Sequence, residues 1–100
     1  MATVAVDIGT LITQTPGLHG GAPHIAHKGV TVRRIVGWYQ RGLIPEEIAD
    51  RIGHLSLAEV YAALAYYHVN RPEIDADMAK QNLQEKQLEQ QYSQGLERSL

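Results

Sequence analysis

A chain of 100 residues, 44% hydrophobic and 20% charged, has room for one globular domain and is too apolar for wholesale disorder. It has no cysteine, which excludes a disulfide framework, a thiolate nucleophile and a cysteine-based zinc site. The net charge of −2 is unevenly spread, with +3 over residues 1–42, −5 over 43–77 and zero over 78–100. A chain of this sign is a poor general polyanion binder, so any nucleic-acid contact must be local to the basic first part.

No basic start followed by a continuous apolar core marks a signal peptide, and no apolar run approaches the roughly 20 residues of a membrane span. A soluble cytoplasmic protein with no membrane partner is expected. A chain this short leaves much of its surface uncovered, so a homodimer is expected too.

Residues 3–14 read as strand material, because Val4, Val6 and Ile8 alternate with smaller or polar partners. Gly9-Thr10 interrupts the run and Leu11-Ile12-Thr13 restarts it. Pro16-Gly17 and Gly20-Gly21 mark a loop, followed by extended pieces at Pro23–Ala26 and Val30–Val32. These are too short for an independent sheet and must pack on helices or pair with another chain.

A first helix starts at Thr31, an N-cap residue. Val32, Ile35, Val36 and Tyr39 form its apolar stripe, and Gly42 suits the left-handed stop. Arg33 and Arg34 point away from that stripe and oppose the helix dipole. They form either a solvated face or an anion contact.

A second helix opens at Pro45 with Glu46 and Glu47 in its first turn, carries Ile48 and Ile52, and stops at Gly53. Ser56 and Glu59 form a capping box for a third helix. Its buried stripe is expected to be Leu57, Val60, Tyr61, Leu64 and His68. Its outer positions are expected to be Ala58, Glu59, Ala62, Ala63 and Tyr66.

Asn70 closes that helix. A fourth runs from Pro72 to about Gln91, with fraying after Gly95. Its apolar positions Ile74, Met78, Leu83, Leu88, Tyr92 and Leu96 keep no heptad.

The second and third helices have the marks of a helix-turn-helix: small Ala49, a turn glycine at Gly53, and apolar Val60 one position later than the tightest spacing. The first helix would brace the pair. The pattern speaks for a three-helix unit more than for DNA reading, since the expected outer face of the third helix has no Arg, Lys, Asn or Gln.

Other chemistry finds little footing. His19, His24 and His27 could in principle hold a metal, but they sit in a glycine-rich stretch with no helping carboxylate except Asp7. Neither a metal nor a cofactor is expected. Glu46 and Glu47 are adjacent and cannot share a helix face. There is no phosphate loop and no Ser/His/Asp arrangement, so no enzyme is expected. Tyr61, Tyr66 and Tyr67 read as core and interface material, with base stacking the remote alternative.

The residues Thr13-Gln14-Thr15-Pro16-Gly17, Gly20-Gly21-Ala22-Pro23-His24-Ile25 and Val30-Thr31-Val32 form a recognisable series. It continues through Ile35-Val36-Gly37-Trp38-Tyr39, Pro45-Glu46-Glu47-Ile48-Ala49 and His54 to Tyr67. The series resembles the domain-of-unknown-function 433 family of small prokaryotic proteins over about residues 12–78. One triplet departs: His27-Lys28-Gly29 stands where the family has Gly-Thr-Arg or Gly-His-Arg, and Lys28 is the nearest cation.

The resemblance implies a mainly α fold with a short N-terminal β element, a homeodomain-like or winged-helix-like three-helix core, and a C-terminal helix. It also implies an antitoxin that binds a PIN-like ribonuclease toxin and, as a dimer, its own operator DNA. Residues 1–75 would form the strand arm and helical core, and 76–100 a polar, glutamine-rich tail that serves as toxin-binding arm. Lys28, Arg33, Arg34 and Ser56 would face DNA. The alternative is a protein-interaction module that uses the same scaffold without DNA.

Overall fold

The computed structural model describes the backbone of residues 5–99 and side chains as far as residue 92. It is mainly helical with a short N-terminal two-stranded element: β1 (Ile12–Thr13), β2 (His24–Ile25), α1 (Val32–Gln40), α2 (Pro45–Ile52), α3 (Leu57–Val69) and α4 (Arg71–Ser99). The chain divides between Asn70 and Arg71 into two units.

The first unit opens differently from the expected strand. Ile8–Leu11 is a 3-10 turn, and Val6 and Ile8 are 73% and 68% exposed. Asp7 explains this. Its Oδ1 accepts from Gly9 N at 2.9 Å, and its carbonyl accepts from the Thr10 hydroxyl at 2.6 Å. Such local bonds compete with a strand ladder. Val4 lies outside the described residues.

The strands pair antiparallel within the chain, Ile12 with Ile25 and Thr13 with His24. The expected piece at Val30–Val32 contributes one bridge, His24 with Thr31, before α1 begins.

Thr31 caps α1, its Oγ1 accepting from Arg34 N at 3.2 Å. Val32, Ile35 and Val36 are fully buried, whereas Tyr39, at the end of the same stripe, is partly exposed. Glu47 Oε1 accepts from Ile44 N at 3.1 Å and ties down the entry to α2. Ile48 is the buried side chain of α2. Gly53 ends the helix at φ 85°, a left-handed value that side chains disfavour.

Both halves of the expected capping box at α3 form: Ser56 Oγ accepts from Glu59 N at 3.1 Å, and Glu59 Oε1 accepts from Ser56 N at 2.8 Å.

The inward face of α3 is rotated from the expected one. Val60 and Leu64 are buried as expected, but so are Glu59, Ala62, Ala63 and Tyr67. Leu57, Tyr61 and His68, expected inside, are exposed. Apart from Glu59 the helix has no formally charged residue, so hydropathy cannot pick a face. Packing picks it: the alanines let α3 come close to α1 and α2, and Tyr67 takes a hydrogen bond from Gln40 Nε2 at 3.3 Å.

The second unit is α4. It extends beyond Gly95 to Ser99, further than expected. One interior glycine costs about 1 kcal/mol relative to alanine, and the flanking Gln, Glu and Lys residues favour helix. Arg71 and Asp75 lie 3.9 Å apart one turn along it. Leu83, Leu88 and Tyr92 are exposed. The side chain of Leu96 lies outside the described residues.

Candidate interaction surfaces

The four residues expected to face DNA have different surroundings. Lys28 follows β2 and its ammonium reaches the start of α3. Nζ lies 2.6 Å from Glu59 Oε1 and donates to the carbonyl of His54, also at 2.6 Å. The side chains are 30% and 12% exposed. One Glu59 oxygen thus serves both the Lys28 ammonium and the Ser56 amide. Lys28 and Ser56 are brought together, but as parts of a strut between the strand element and the cap of α3.

Burial pushes the Glu59 carboxyl up, but the hydrogen bonds from Lys28 and Ser56, with the Lys28 charge, outweigh it and hold the group below its ordinary value of 4.5. The stabilisation is therefore full above the ordinary carboxylate range and is lost as pH falls through the lower folded value. Urea melts from pH 7 to pH 3 are expected to show stability declining below about pH 4.5, and declining less in Glu59→Gln.

Arg33 and Arg34 lie in the first turn of α1, Arg33 half-buried and Arg34 exposed. Arg34 makes no ion pair with Glu59 of the strut. Arg34 instead shares a helix face with two residues that the sequence reading did not single out for binding. Arg34, Trp38 and Arg41 follow one another at i, i+4 and i+7, neighbours on one side of a helix. Arg51, at the end of α2, reaches the same indole. Its guanidinium carbon lies 4.4 Å from the Trp38 ring centroid, and that of Arg41 lies 5.0 Å away. Both are within cation–π range. Among the described residues, no carboxylate lies within ion-pair distance of Arg34, Arg41 or Arg51. The sequence clue was the i, i+4, i+7 spacing, but the approach of Arg51 from α2 is tertiary.

A second surface is the outer side of α3. Leu57, Tyr61 and Val69 are 41%, 51% and 81% exposed, and Ala65 between them is exposed as well. They recur every four residues, so they form one ridge. This ridge has no charge.

Beside the strands lies an open cleft of about 620 Å³ lined by Thr10, Thr13, Thr15, His24, His27 and Lys28. His24 is buried in its wall. Nδ1 faces the carbonyls of Ile25 and Lys28 at 2.8 and 3.1 Å and so donates, while Nε2 lies 3.0 Å from the Thr15 hydroxyl. His24 thus ties the loop to β2. His19 meets it edge to face at 6.2 Å. Among the described residues, no three His, Asp or Glu side chains converge as metal ligands.

The family described as "Protein of unknown function (DUF433)" matches residues 12–67. This chain belongs to that family. The matched stretch runs from β1 into the last turn of α3 and so takes in the strut, the Trp38 cluster and most of the α3 ridge. A DUF433 member protein from Anabaena variabilis ATCC 29413, solved by crystallography, is similar in fold at a TM-score of 0.66 and 30% identity. The match covers 70% of this chain and 69% of that one. No curated protein matches the chain. No helix among the described residues is long and apolar enough to cross a membrane.

Proposed function

We propose that this DUF433 protein is a non-catalytic interaction module of antitoxin type, which holds a partner protein against the outer side of α3. The observation that carries this reading is the uncharged ridge Leu57, Tyr61, Ala65 and Val69. Interface cores are depleted of charge and enriched in tyrosine, and an exposed tyrosine in an apolar surround is a typical binding hot spot. The partner that the family resemblance implies is a PIN-like ribonuclease. The polar, glutamine-rich α4 would add a second contact as an arm. In this reading the protein works in the cytoplasm.

Co-expression with a PIN-like protein encoded beside it tests the proposal. A complex should co-purify, and Tyr61→Glu should weaken it at least tenfold, since a buried charge in an apolar contact costs more than about 1.4 kcal/mol. The melting temperature of the free protein should hardly change, because Tyr61 is half exposed. A complex indifferent to Tyr61→Glu but lost on removal of residues 78–100 would move the binding site to the arm. No complex at all would sink the reading.

Operator binding by a homodimer forms the other half of the antitoxin reading. Lys28 and Ser56 are engaged at the strut, so Arg34 on α1 is the favoured DNA contact of the four.

A further inference from the structure

The geometry points to the Trp38 cluster as a binding surface for the phosphodiester backbone of duplex nucleic acid, made by Arg34, Arg41 and Arg51. This deepens the operator-binding half of the reading above and is independent of the toxin contact.

The guanidinium groups of Arg41, just after α1, and Arg51, at the end of α2, lie around one indole, and Arg34 stands one turn before Trp38 on the same face of α1. The Arg51 and Arg41 guanidinium carbons sit at 4.4 and 5.0 Å from the indole centroid, so these two are held within about 10 Å of each other, although like charges repel. Structural arginines in folded proteins ordinarily find carboxylates. Asp50 and Glu47 lie close by in sequence on α2, but neither is within ion-pair distance of these three, and Glu47 is turned to the amide of Ile44. Among the described residues no carboxylate takes up the in-plane N–H edges of Arg41 and Arg51. Those edges match phosphate oxygens in a bidentate fashion.

An acidic peptide would satisfy the same charges. The phosphodiester backbone is favoured because guanidiniums from two different helices are fixed by a rigid ring at separated points. That layout suits successive phosphates on a stiff duplex. The surface reads no sequence. It would orient the protein and leave base discrimination to other contacts.

Trp38 is the only tryptophan, so its emission reports on the cluster directly. The full chain is titrated with a 20-base-pair duplex of arbitrary sequence, with poly-glutamate as a parallel arm, between 20 and 200 mM NaCl. The duplex should change the Trp38 emission. Affinity should fall with a log–log salt slope of about −2.7 for three phosphate contacts, or about 20-fold per threefold rise in salt. Arg34→Gln, which leaves both contacts with the indole in place, should reduce the slope by about one. Arg41→Gln with Arg51→Gln should reduce it by about two and lower affinity at least tenfold at 20 mM salt, with circular dichroism confirming the fold.

Duplex binding with an unchanged slope in these variants would remove the assignment to this surface while leaving operator binding intact. No binding at 20 mM salt would overturn the inference, as would equal affinity for poly-glutamate. None of these outcomes bears on the toxin complex, whose failure would appear only in co-purification.

Discussion

Replacing Glu59 with alanine is expected to destabilise the first unit by about 2–3 kcal/mol, read as a shift in urea midpoint at constant slope. Two losses combine. The Ser56 amide loses its acceptor and the cap of α3 loses half of its reciprocal pair. The Lys28 ammonium keeps only the His54 carbonyl. Partial exposure of both side chains keeps the figure below the about 3–5 kcal/mol seen when a fully buried pair is broken. Lys28→Met should cost less, about 1–2 kcal/mol, because Glu59 keeps Ser56. The double variant should cost less than the sum of the two, since the residues share an atom-to-atom contact. Strict additivity would mean that Lys28 and Glu59 do not meet in solution.

Ile48→Ala is expected to cost about 3–4 kcal/mol, the largest effect of any single side chain in α2. Ile48 is the one fully buried side chain that this eight-residue helix contributes to the core. A helix so short has little stability of its own. Losing its anchor should therefore loosen the whole element as well as leave a cavity. Hydrogen exchange should show the amides of residues 48–52 losing protection ahead of those of α3. Uniform loss across α1, α2 and α3 would instead mean that the three helices open as one unit.

Legibility in the sequence followed the range of the interaction. Thr31, Pro45, Gly53 and the Ser56/Glu59 box act within three or four residues of themselves, so the starts and stops of α1, α2 and α3 could be read directly. The inward face of α3 could not. Its apolar residues surround the axis, and the choice was made by small alanines meeting α1 and α2 and by Lys28, which is 31 residues from Glu59 in the chain. The alternation of Val4, Val6 and Ile8 takes no account of Asp7, whose turn redirects the backbone ahead of β1. Of the four residues expected to face DNA, Lys28 and Ser56 are engaged in holding the fold together. The approach of Arg41 and Arg51 to Trp38 is not legible in spacing alone, because Arg51 arrives only after α2 has docked.

Lys28 is the only lysine ahead of Lys80. A reagent that acylates amines would therefore find, in the side chains of the whole first unit, a single target. Converting that ammonium to an amide would leave the neighbouring carboxylate unneutralised and loosen the tie between the strand element and the helix it steadies. One covalent event at one nitrogen could thus be registered across both ends of this small unit.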